Sequence, residues 1–315
     1  KDGIIYFRND ESTKKIIMKN ISEIYVLGEV DISKEFLEFI SKAEITIHFF
    51  NYYGYYSGSF YPNKHISFAD TVLKQVEYYL DNRKRLYIAM LFVEGAVKNI
   101  LQVIRYYMNR GKDLIEIETN IRKLEEIIYT CTNVNELMAI EGNIRNYYYQ
   151  AFDIILKNPD FIFEQRSKRP PRNHLNTLIS FGNSMMYTTV LSQIYYTHLD
   201  PRIGYLHATN FRRYTLNLDV AEIFKPIIVD RVIFTVINKN IITSDDFETL
   251  SEGIMLKEKG REIFVQHFED KLNSTISLRN TEENISYKDL IKIELNNLEK
   301  YLIYGEKYNT FTARW

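Results

Sequence analysis

"ITIHFFNYYGYYSGSFYPNKHISFADTVLKQVEYYL", Ile45 to Leu80, contains the change of period that decides the fold. Up to Pro62 the stretch is aromatic and β-branched and is broken by glycines, the pattern of short strands. From Phe68 to Leu80 apolar residues recur at helical spacing, with Asp70 as the cap residue. Toward the N-terminus the strand pattern continues back to Ile4 through "EIYVLG", "KKIIM" and "IIYF", interrupted by one helix, Ser33 to Ser41. Toward the C-terminus the period stays at 3.6. It predicts helices over Arg83–Arg110, stopped by Gly111, then Leu114–Thr130, Val134–Lys157, Asn176–Thr197, Leu218–Phe224, Glu258–Asn273 and Ser286–Tyr304. "PIIVDRVIFTVI", Pro226 to Ile237, is β-branched, but its leading proline and the apolar residues at 228, 232 and 236 fit a helix. The expectation is an α+β chain: a β-strand-rich N-terminal domain over residues 1–65, then a larger all-α domain over 66–315.

Composition narrows the function classes. The 315 residues are enough for two domains. With a formal net charge of −1, nucleic-acid binding has to rest on local basic patches. The 25 tyrosines and 19 phenylalanines supply flat side chains for cores, dimer interfaces or stacking surfaces. For "HFFNYYGYYSGSF", His48 to Phe60, a sheet core or dimer face is preferred to base stacking. Cys131 is the only cysteine, which excludes intrachain disulfides and multi-cysteine zinc sites and fits a reducing compartment. No run of about 18 apolar residues and no signal peptide is visible, so the expectation is a cytoplasmic protein with no membrane partner.

Three stretches carry candidate chemistry. In "LMAIEGNIRNYYYQAFD", Leu137 to Asp153, Glu141 and Arg145 are four apart with Tyr148 on nearly the same face. Such a pair is either a surface salt bridge worth under ~1 kcal/mol or, with Gly142 opening the backbone, a cleft-lining carboxylate. In "QRSKRPPRNHLNTLISFGN", Gln165 to Asn183, Arg166, Lys168, Arg169 and Arg172 crowd four cations around a stiff diproline, with His174 just after. That loop is either a solvated surface or a phosphate-binding edge. In "GYLHATNFRRYTLNLDVAEIFKP", Gly204 to Pro226, His207 and Glu222 would lie about 22 Å apart on one ideal helix. With Asn217 as N-cap, Asp219 falls in the first turn, where the dipole favours a carboxylate. A turn between His207 and Asn217 would let Glu141, His207 and Glu222 converge on Mg²⁺ or Mn²⁺; without it, His207 is a structural histidine.

Taken in order, these stretches resemble the CRISPR-associated integrase family that inserts new spacers, the metal-dependent nuclease of adaptation. "EGNIRNYYYQAF" is similar to its glutamate motif, "RSKRPPRNHLNTLISFGN" to its arginine-diproline motif, and "DPRIGYLHATNFRRYTLNLDVAEIFKP" to its histidine-to-carboxylate motif. "LGEVD", "HFFNYYGYYSGSFYP", "KGREIFVQHFEDKL" and "YKDLIKIELNNLEKYLIYGEKY" extend the likeness over nearly the whole chain. Glu222 stands where many members have aspartate, and Asn173 departs from a "PxDP" pattern.

The resemblance implies a dimerising β domain and a helical catalytic domain, with Mg²⁺ or Mn²⁺ on Glu141, His207 and Glu222 and Asp219 beside them. It implies cleavage and strand transfer of DNA, with prespacer duplex and CRISPR repeat as substrates. It also implies a homodimer, a small ferredoxin-like CRISPR-associated partner, and one or two further strands before "IIYF". Charge and position add Arg145, Arg166, Lys168, Arg169, Arg172, Arg212 and Arg213 as candidates for the DNA backbone. A catalytically inactive DNA-binding structural subunit is the second reading, and a metal hydrolase of small molecules the third.

Overall fold

The computed structural model describes the chain apart from residues 1–3, 9–11, 19–20, 22, 63–68, 209–213, 252, 278–283 and 315. Two compact units divide it, Lys1–Ile66 and Ser67–Trp315.

In the first unit, β1 (Ile4–Arg8) and β2 (Thr13–Ile17) form an antiparallel hairpin. β3 (Glu23–Val26) runs parallel to β4 (Thr46–Phe50) because α1 (Lys34–Lys42) carries the chain back between them. Ser33 caps α1 by accepting from the Phe36 amide at 3.2 Å. β5 (Tyr56–Phe60) returns antiparallel to β4 through a turn in which Asn51 accepts from the Tyr53 and Tyr55 amides. The core joins Ile5, Ile40, Ile45 and Ile47, with Phe36, Leu37 and Phe39 packed against it.

In the second unit, α2 (Ala69–Leu80) leads into α3 (Asn82–Met108), capped by Asp81 and followed by Gly111 at φ +80°. α3 is long and apolar enough to cross a membrane by length and composition, a stretch that counting uninterrupted apolar residues passes over. Most of that apolar stretch is buried. Ile88, Phe92, Ile100 and Ile104 are covered as α3 packs against α2, α4 (Ile115–Ile127), α5 (Val134–Leu156) and α7 (Leu216–Phe224). α6 (His174–Tyr195), α8 (Val229–Asn238), α9 (Glu258–Asn273) and α10 (Tyr287–Tyr304) complete the helices. The α+β architecture is therefore as expected, including the helix over the β-branched "VDRVIFTVI".

The helical unit also holds two short antiparallel hairpins that the 3.6 period does not report: β6 (Phe247–Leu250) with β7 (Gly253–Leu256), and β8 (Thr275–Ser277) with β9 (Asn284–Ser286). The first braces the diproline loop. The Ile254 amide donates to the Pro171 carbonyl at 2.9 Å, and a side chain at Gly253 would meet Pro170 Cβ at 2.5 Å.

After α10 the chain folds back as a strap behind α7. Buried Asn99 on α3 donates to the Ile223 carbonyl (2.8 Å) and the Phe311 carbonyl (3.1 Å) and accepts from the Ala313 amide (2.8 Å). Phe311 stacks on Phe224, with centroids 5.9 Å apart. Glu294 on α10 accepts from Tyr308 Oη (2.5 Å) and the Phe311 amide (3.0 Å).

Burial pushes the Glu294 carboxyl from its ordinary 4.5 up to about 7, against the pull of those two donors. The folded state then holds a proton that the unfolded chain releases earlier. Stability from this group is therefore greatest below pH 4.5 and falls as pH climbs to about 7, by about 3 kcal/mol in all. Urea denaturation at pH 5 and pH 8 is expected to show a smaller loss in Glu294→Gln than in the parent. Equal losses in both proteins would refute the assignment.

Candidate metal centre and basic loop

α5 begins where Asn133 accepts from the Glu136 amide at 3.0 Å, and its period brings Glu141, Arg145 and Tyr148 to one face. The N-cap position of α7 is Thr215, two residues before Asn217, and no side chain caps it: the Thr215 hydroxyl donates to the Arg202 carbonyl and accepts from the Gly204 amide instead. Asn217 lies inside α7 and donates to the Tyr187 carbonyl at 3.1 Å.

The chain does bend back between His207 and Glu222. The returning segment is held from three sides. Gln75 on α2 pairs in both directions with the Asp200 backbone, Arg85 on α3 donates to the Tyr205 carbonyl at 2.9 Å, and α7 presents Asp219. The fully buried Asp219 carboxylate accepts from the amides of Tyr205 (2.6 Å), Leu206 (2.9 Å) and His207 (3.0 Å), and bonds His207 Nδ1 at 2.7 Å. Only glycine fits at 204, because a Cβ there would lie 2.7 Å from the Thr215 carbonyl carbon and 2.9 Å from Asp219 Oδ2. With Nδ1 engaged, Nε2 is the ring atom left for other chemistry.

Arg145 joins the two glutamates. Its Nε donates to Glu141 Oε1 at 3.1 Å, and its guanidinium bonds the Glu222 carboxylate and the Glu222 carbonyl. Lys225 reaches the other Glu222 oxygen at 2.5 Å and donates to the Tyr187 hydroxyl. Burial opposes every charge here, but the ion pairs win. Lys225, Arg145 and His207 hold the Glu222 carboxyl well below its usual range, and Lys225 is pushed up in turn by Glu222. His207 is likewise raised: burial opposes its charge, and the Asp219 hydrogen bond and charge, with Glu222 behind, outweigh burial.

Among the described residues no three His, Cys, Asp or Glu side chains stand close enough to hold a metal ion as they are. Arg145 and Lys225 supply the positive charge that Glu222 needs. The donor types nevertheless fit a hard dication: two carboxylates and an imidazole whose orientation is set by a carboxylate behind it.

The expected DNA contacts divide. Arg145 was expected on the DNA backbone, but it is 7% exposed and spends its donors on Glu141 and Glu222, so it belongs to the carboxylate set. Arg166 turns inward, donating to Asn176 Oδ1 (2.8 Å), Ser180 Oγ (3.0 Å) and the Ser167 carbonyl, and so stiffens the loop. Lys168, Arg169 and Arg172 are exposed. Partial desolvation lowers the Lys168 pKa and Arg166 and Lys225 lower it further, while Glu222 and Glu141 pull the other way, so this ammonium lies in the field of the carboxylate set. Arg212 and Arg213 lie outside the described residues. His174 starts α6 and packs on Phe161 and Phe247 with Nδ1 toward the Asp160 carbonyl, a structural place. Sequence reasoning missed Lys225, three residues after Glu222, and Asp230, hidden in an apolar helix.

Residues 1–270 match the family model described as CRISPR associated protein Cas1. A "CRISPR-associated endonuclease Cas1 2" from Thermodesulfovibrio yellowstonii is 55% identical over 315 residues, covering 100% of this chain and 96% of that protein. The solved structure of a CAS1 protein from Thermotoga maritima superposes with a TM-score of 0.84 at 44% identity, over 100% of this chain and 96% of its own. A casposase bound to integration product shares the fold at 20% identity, with a TM-score of 0.87 over 97% of this chain and 86% of that one. With a matching family model over most of its length and relatives this similar end to end, the chain is a member of the CRISPR-associated Cas1 family.

Proposed function

We propose that the chain is a divalent-metal-dependent DNA endonuclease and integrase of CRISPR adaptation, with Glu141, His207 and Glu222 as metal ligands. Its relatives' names as endonucleases support the nuclease class. The observation that carries the site is the Asp219 carboxylate, which holds His207 by Nδ1 on the helix that brings Glu222 to Glu141 through Arg145. Mg²⁺ or Mn²⁺ would polarise the phosphate and lower the pKa of the attacking hydroxyl or water. Asp219 keeps the imidazole in one tautomer and orientation, Lys225 screens Glu222, and Lys168, Arg169 and Arg172, with Arg212 and Arg213, hold phosphate oxygens. The first unit pairs two copies, and a small ferredoxin-like partner completes the assembly on prespacer duplex and repeat DNA.

A duplex with free 3′-hydroxyl ends and a repeat-bearing target is expected to be joined in Mn²⁺ or Mg²⁺ and not in chelator. Affinity for the duplex should fall steeply as salt rises. Joining unaffected by chelator would refute the metal reading, and salt-insensitive affinity would refute the phosphate contacts. The closed ion network favours one other reading, a DNA-binding subunit without chemistry, since Arg145 and Lys225 already satisfy Glu222. No saturable Mn²⁺ binding by calorimetry would select it.

A further inference from the structure

Asp230, near the start of α8, is 2% exposed, and its Oδ2 has no hydrogen-bond partner. The fully buried Tyr148 hydroxyl lies beside it, close enough to interact with the carboxylate but in no well-formed hydrogen bond. A buried carboxylate whose nearest donor is this poorly aligned is under-satisfied, which points to a second arrangement in which it takes a better partner. The ionisable groups around them are Arg145, Tyr148 and Tyr149 on α5, Glu222 and Lys225 on α7, and Tyr107 on α3. Arg145 is the cation among these with two carboxylate partners to lose. Its partners Glu141 and Glu222 are the two carboxylates that a dication would claim.

A buried guanidinium stripped of its carboxylates is strongly unfavourable unless another carboxylate takes it. We propose that Asp230 is a positioning residue for the metal set: it receives the Arg145 guanidinium when a divalent ion occupies Glu141 and Glu222. The inference rests on the metal reading above. Burial pushes the Asp230 carboxyl from 3.8 up to about 6, even against Arg145 and Lys225. In the closed arrangement the site thus holds two glutamates against two cations with Asp230 largely uncharged at acid pH. On loading, the proton leaving Asp230 passes to the buffer, its charge offsets part of the incoming dication, and Arg145 pairs with it.

Mn²⁺ titration of the full chain and of Asp230→Asn by calorimetry, from pH 5 to pH 7.5, tests this. The variant is expected to bind Mn²⁺ about tenfold more weakly at pH 7.5 and to release fewer protons than the parent at pH 5.5, with the metal-free protein still folded by circular dichroism. A crystal structure of the parent soaked in Mn²⁺ gives a readout that needs no variant: Arg145 is expected on Asp230, within hydrogen-bond distance. Mn²⁺ affinity and proton release equal in parent and variant would overturn the proposal and leave the metal reading standing. So would Arg145 still seated on Glu222 in the loaded crystal. A parent that binds no Mn²⁺ would overturn both.

Discussion

His207→Ala is expected to lower metal-dependent cleavage and strand transfer by at least about 10²- to 10³-fold, the usual cost of removing one group that stabilises developing charge, while the fold is retained. The ring sits at the edge of the site with its side chain 17% exposed, and it forms no part of the α3–α5–α7 core. Removing it leaves the Asp219 carboxylate three backbone amides to hold, so the returning segment keeps its course. DNA affinity should be nearly unchanged, because the exposed cations lie on the diproline loop. Undiminished Mn²⁺-dependent activity in this variant would overturn the ligand assignment, and loss of the folded state would mean that the ring is a structural post.

Asp219→Ala is expected to destabilise the protein by roughly 3–5 kcal/mol, because two buried amides and a part-buried one lose their acceptor at once and each buried unsatisfied donor costs about 1–3 kcal/mol. The loss is read as a lower urea midpoint with the slope unchanged. Asp219→Asn separates the two roles of the carboxylate. It keeps an oxygen for some of the amides but presents an N–H to others, so it recovers only part of the stability. It also lets the imidazole turn, which should weaken Mn²⁺ binding by about 10- to 100-fold. An Asp219→Ala protein as stable as the parent would show that the returning segment is held elsewhere, by Gln75 and Arg85.

Several of these features were legible in the residues alone. The bend between His207 and Glu222 follows from rise per residue, since no straight helix lets the two cooperate. The long helices follow from apolar spacing, and even "VDRVIFTVI" forms one against its β-branched composition, with Val229, Val232, Ile233, Phe234, Val236 and Ile237 all buried. What was not legible is contact between distant segments. β6 and β7 are four residues each and are stabilised by Pro171 and Thr177, some 80 residues upstream, so no local pattern announces them. Asn217 has the chemistry of a cap, but the helix starts two residues earlier and Asn217 is spent on the Tyr187 carbonyl, a contact 30 residues away. Arg145 has the look of a surface ion pair at i,i+4, and only packing against α7 puts it inside. Asp230 reads as an interruption in an apolar helix until Tyr148 and Arg145 are seen beside it.

The strap behind α7 ties the site to the order in which the chain is made. A nine-residue helix is too short to hold its own place, and the one carrying Glu222 borrows rigidity from Asn99 and from Phe311, about 90 residues later. During synthesis Glu141, His207 and Glu222 all leave the ribosome well before Phe311 and Ala313 can close on Asn99. The carboxylate set is thus framed only after about 90 further residues have been made, and a partly made chain carries its ligand residues without the frame that sets them.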